Sequence, residues 1–129
     1  MRLRSITLAA SLTPLLAFAH HSAFEYDRDT VLEITGEVVR LQWQNPHVRF
    51  HIRVQNNDGS EQIWETEAMD VNSLDRAGVA RDLVEVGQVV RVAGSPSSRR
   101  DNALLATNLM LPDGTEVITF LSARPRWSD

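Results

Sequence analysis

Val31-Leu32-Glu33-Ile34-Thr35-Gly36-Glu37-Val38-Val39-Arg40-Leu41-Gln42-Trp43 alternates as one long strand, but its apolar side changes partway along. Leu32, Ile34, Gly36 and Val38 share one side, whereas Val39, Leu41 and Trp43 share the other. Successive strand side chains point to opposite faces, so the switch calls for an extra residue or a bend at Val38-Val39. A bulge there, eased by Gly36, lets a single strand serve both halves of a curled sheet. Asn45-Pro46 then ends the strand, because proline removes a ladder donor and restricts the residue before it.

The next stretch, His47 to Val54, places Val48, Phe50 and Ile52 on a core face and His47, Arg49, His51 and Arg53 on the other. Asn57-Asp58-Gly59 supplies a hairpin turn, with Gly59 in the left-handed position. Pairing about that centre sets Phe50 against Thr66, Ile52 against Trp64 and Val48 against Ala68 on the buried side. On the opposite side it sets His51 against Glu65, Arg49 against Glu67, Arg53 against Ile63 and His47 near Met69. Opposite charges facing each other across strands contribute roughly 0.2–1 kcal/mol per pair, so this ladder is expected for stability alone.

From Asp70 the pattern becomes a short helix, with Asp70 or Asn72 as N-cap, Val71, Leu74 and Ala77 on its apolar side and Gly78 as its stop. A second short turn is read at Arg81-Asp82-Leu83. Further strands follow at residues 88–94, 103–111 and 116–121. The pair Arg99-Arg100 reads as a loop charge pair. Three strands, a short helix and two or three more strands, the first one bent, point to an all-β domain. The expected architecture is a five- to six-stranded OB-like Greek-key barrel, with a partly open sandwich as the alternative. Trp43 and Trp64 are expected in packing roles at the core or barrel end.

Residues 1–19 carry the features of an export signal: basic Arg2 and Arg4, an apolar stretch from Ile6 to Leu16, and Ala17-Phe18-Ala19 before a cut. The expected organisation is a signal peptide over 1–19, an N-terminal arm over 20–30, a barrel over 31–121 and a loose C-terminal tail over 122–129. Cleavage after Ala19 would make the protein periplasmic or secreted. The remaining chain has eleven arginines, no lysine and seventeen acids, a formal charge of −6, which opposes binding to a nucleic acid backbone. Cysteine is absent. Disulfides, thiolate metal sites, a cysteine nucleophile and a lipid-modified anchor are therefore excluded. No serine stands in a nucleophile context and no glycine-rich phosphate loop occurs, so binding is expected rather than catalysis.

With the cut after Ala19, the chain begins His20-His21-Ser22. An N-terminal histidine offers its amine and its ring as a chelating pair, and the amine loses its proton near about pH 7.7–8.0. Nitrogen-rich sets of this kind suit copper(II) or nickel(II), and three imidazoles would also suit zinc. A cut after Ala17 would instead put a histidine third, where amine, amides and imidazole can wrap a square-planar ion. Residues four apart on a strand stand about 13 Å apart, so His47 and His51 cannot share an ion. His47, at the strand entrance where the arm can fold back, is the better ligand. The expected metal set is His20, His21 and His47, with copper preferred over zinc or nickel. The alternative is a metal-free periplasmic binding or accessory module whose ligand or protein partner sits on the face of Arg49, His51, Arg53, Glu65 and Glu67.

Ala19-His20-His21-Ser22, Trp43-x-Asn45-Pro46-His47, the Asp58-Gly59 hairpin followed by Trp64-Glu65, and Leu111-Pro112-Asp113-Gly114 resemble in order and spacing a family of small exported bacterial proteins, the domain of unknown function 6152. The resemblance covers essentially the whole chain after the signal. It implies an exported β domain and singles out His20, His21 and His47 without assigning them a task.

Overall fold

The computed structural model describes residues 25–128. Its strands are β1 (Leu32–Gln42), β2 (Arg49–Gln55), β3 (Glu61–Glu67), β4 (Val89–Pro96), β5 (Ala103–Met110) and β6 (Glu116–Ile118), with one α-helix, α1 (Val71–Arg76), and a short 3-10 turn, Arg81–Leu83, between β3 and β4. The bent first strand organises them. Its first half, Leu32 to Glu37, pairs antiparallel with β4, and its second half, Glu37 to Gln42, pairs with β2. The register shifts between Val38 and Arg40, which leaves Val39 as the bulged residue where the apolar side changes.

Two close approaches make that curl possible. A Cβ at Gly36 would run into the Arg53 carbonyl, and one at Gly94 into the Leu105 carbonyl, so both positions need a bare backbone. The β2–β3 hairpin keeps the expected register, with Phe50 opposite Thr66, Ile52 opposite Trp64 and His51 opposite Glu65. Gly59 turns it at φ 84°. A short parallel pairing of β3 with β5 closes the barrel, giving the strand order β3-β2-β1-β4-β5 back to β3, with β6 added beside β5. This is a closed OB-type barrel with one extra strand, not an open sandwich.

Phe50, Ile52, Val38, Val48, Val90, Val92, Leu104 and Leu109 fill the interior. Helix α1 plugs one end with the fully buried Leu74. Asp70 caps it by accepting from the Ser73 N–H at 3.0 Å, and Gly78 at φ 78° lets the chain leave. Trp43 and Trp64 pack half-buried against the core, as expected.

The half-buried Glu116 gathers residues after β6. Its carboxylate accepts from the N–H groups of Arg126, Trp127 and Ser128, from the Ser128 hydroxyl and from the Asn108 amide. The Trp127 ring also lies under the Arg91 guanidinium, 4.9 Å from it. Burial alone would raise the Glu116 pKa, but the Ser128 hydroxyl and the Arg126 and Ser128 amides outweigh it and hold the carboxyl at about 2.

Candidate functional site

His47 is held by three local devices. The Asn45-Pro46 peptide is cis, and the Asn45 side-chain oxygen accepts the Val71 N–H at 3.0 Å, which ties this turn to the first turn of α1. Val48 then exchanges backbone hydrogen bonds with Met69 and Ala68, at 3.1 and 2.8 Å. The His47 ring follows, with Nδ1 3.3 Å from the Ala68 carbonyl oxygen and 3.7 Å from a Glu67 carboxylate oxygen. A carbonyl oxygen can only accept, so Nδ1 carries the proton. That leaves Nε2 as the lone-pair nitrogen, and it makes no hydrogen bond among the described residues.

Glu67 is almost fully buried, and its second oxygen takes the Arg49 guanidinium at 3.3 Å. His47, Glu67, Met69 and Asp70 form one side of a pocket of about 400 Å3, completed by Tyr26, Arg28, Leu105 and Phe120. Its wall therefore combines an imidazole, a thioether and two carboxylates.

Tyr26 reaches this pocket because the chain ahead of β1 is clamped to the barrel. The Asp27 N–H donates to Pro96 O at 2.9 Å, the Ser98 N–H to Glu25 O at 2.8 Å, and the Ser97 hydroxyl to the Glu25 carboxylate at 2.9 Å. Arg100 joins the parts. Its guanidinium pairs with Glu25, donates to Glu65 at 2.7 Å and donates to the Tyr26 hydroxyl at 3.0 Å. Of the pair Arg99-Arg100, the second is thus a hub rather than a loop charge. Its partners lie far away in sequence, so nothing local to the pair signals them. Hydrogen bonds to Glu25 and then Glu65 raise the Arg100 pKa. Burial, with the Glu67 charge second, pushes the Tyr26 phenol up to about 12 against the pull of Arg100.

His51 lies elsewhere. It stands opposite Glu65 as the hairpin register requires, yet its Nε2 bonds the Gln42 side-chain oxygen at 3.0 Å. Glu65 is instead engaged by Arg100 and, at 3.6 Å, by Arg49. The cause is β1, which flanks β2 on its other side and brings Gln42 within reach just past the Val39 bulge. Burial lowers the His51 pKa, opposed by Glu65 and assisted by Arg40 and Arg49. Across the same face, Arg53 pairs with Glu37 and Glu61, so its charges are largely matched within the sheet.

His20 and His21 lie outside the described residues. Among the described residues, no group of three or more His, Cys, Asp or Glu is arranged to hold a metal ion. The structure therefore gathers His47, Glu67, Met69 and Tyr26 around one pocket and leaves His51 apart. Of these, Met69 was visible in the sequence only as the neighbour of His47, and Glu67 only as a partner of Arg49.

No curated protein matches the chain. Among solved structures, the crystal structure of the mitochondrial single-stranded DNA binding protein Rim1 from S. cerevisiae aligns with a TM-score of 0.48 at 14% identity, covering 64% of this chain and 93% of that chain. The family of unknown function DUF6152 matches residues 8–105, most of the chain's length, and the chain belongs to that family.

Proposed function

We propose that this protein is exported to the periplasm or beyond, is cut after Ala19, and binds copper at the His47 pocket. The amine and ring of His20 chelate the ion, His21 is a further nitrogen donor, and Nε2 of His47 supplies a ligand from the barrel. The observation that carries this reading is the state of His47: its Nδ1 proton is committed to Ala68 O, which presents Nε2 as a lone-pair donor. Glu67 beside the ring adds negative charge where a cation would sit.

Reach supports the arm's part in it. His21 stands five positions before Tyr26, which lines the same pocket. An extended segment of that length spans up to about 17 Å, enough to turn back across the pocket. The Met69 thioether on the pocket wall favours copper over zinc, because soft sulfur selects Cu(I) and nitrogen-rich sets suit Cu(II).

The test uses protein whose N-terminus at His20 is verified by intact mass. Cu(II) titration should show one tight equivalent, weakened about 10–100-fold by His47→Ala and by His20→Ala, the range typical when a metal site loses a supporting group. Binding unchanged in both variants would contradict the proposal.

A further inference from the structure

A second groove, of about 540 Å3, abuts the His47 pocket, with Arg28, Leu105, Phe120 and Ser122 common to both walls. Positive charge collects along it, since Arg28, Arg124 and Arg126 all line it. Their situations differ. Arg126 is paired with Glu33. Neither Arg28 nor Arg124 has a carboxylate partner among the described residues, which is also true of Arg40, Arg76, Arg81 and Arg99.

Arg28 and Arg124 are nonetheless positioned. The Arg28 guanidinium lies over the Phe120 ring, 5.4 Å from its centroid. Arg124 is anchored through its backbone, where its carbonyl accepts the Asn108 amide at 2.8 Å while Glu116 grips the residues that follow. Two like charges lining one groove raise its affinity for an anion. Between them, Leu105 and Phe120 supply an apolar floor, and Val31 is left 51% exposed at the rim.

We infer that this groove binds a small organic anion: one carboxylate gripped by Arg28 and Arg124, carried on an apolar body that lies over Phe120 and Leu105. A carboxylate matches the planar guanidinium fork. The apolar floor offers inorganic phosphate nothing. The volume falls within the range of small-molecule sites. No metal is needed, so this inference stands or falls apart from the copper proposal.

The test is an amide-resolved NMR titration of the mature protein in the presence of EDTA, with octanoate, benzoate, 1-octanol and inorganic phosphate as probes. Octanoate or benzoate should shift the amides of Leu105, Asn108 and Phe120 with saturation below about 10 mM, the regime of a weak specific site. Octanol and phosphate should bind at least about ten-fold more weakly. The double variant Arg28→Gln/Arg124→Gln should lose octanoate binding while keeping its dispersed spectrum, and Arg99→Gln should bind as the parent does. The inference is overturned by no saturable shift at those amides, by octanol or phosphate equalling octanoate, or by unchanged binding in the double variant.

Discussion

Tyr26 reports on the junction between arm and barrel, and it is the single tyrosine of the chain. Its phenol is buried beside the Glu67 carboxylate and accepts from Arg100. Phenolate absorbance should therefore show no ionisation near the ordinary value of 10.0, and a transition near about 12 unless the protein unfolds first. Because the folded-state pKa is raised, the stabilisation is complete below pH 10.0 and is lost as pH climbs through about 12. A phenolate appearing at its ordinary pH in folded protein would mean that the clamp by Arg100, Ser97 and Ser98 is not closed. At the same scale, the tautomer of His47 follows from one neighbour, a carbonyl that can only accept. Neither feature could be read in the sequence. Tyr26 has no local signature, because its partner Arg100 is 74 positions away.

At the scale of elements, β1 is the most legible part of the chain, since the switch from Val38 to Val39 calls for a bulge or a bend, and the register shifts there. The β2–β3 register was equally open to reading, because Asn57-Asp58-Gly59 centres the hairpin and a slip by one residue would expose Phe50 and Ile52. Gly94 had no such signature. Its need for a bare backbone comes from the Leu105 carbonyl of the neighbouring strand, where β4 and β5 shift register. Gly94→Ala should cost about 3 kcal/mol by urea denaturation, the upper range for overpacking, because the atom in the way is backbone and cannot rotate aside. The contacts of residues 126–128 have no signature in the sequence for a related reason. Glu116 recognises backbone N–H groups of Arg126, Trp127 and Ser128, which any sequence carries. Glu116→Gln should lower stability by about 1–2 kcal/mol at neutral pH, a charged hydrogen-bond cluster discounted for partial exposure. Its folded pKa is depressed, so the stabilisation is present above the ordinary 4.5 and lost as pH falls through about 2. Thermal melts of parent and variant should converge across that window; a constant offset down to the acid end would place the effect elsewhere.

For the whole molecule, the barrel closes through β3 and β5, and the arm, α1 and the segment after β6 converge on one region. There the His47 pocket and the arginine groove share a wall at Arg28 and Phe120. Strand pattern alone pointed to the barrel, whereas the pockets arise from loops that meet only after closure, so their linings were not legible. The proposed copper site joins His47 to an N-terminus at His20. Pulsed EPR of Cu(II)-loaded protein, verified by mass to begin at His20, tests it most directly. Couplings from remote imidazole nitrogens are expected, with the contribution of one ring lost in His47→Ala, together with a changed spectrum when one residue is added ahead of His20. A spectrum identical across parent, variant and extended protein would contradict it.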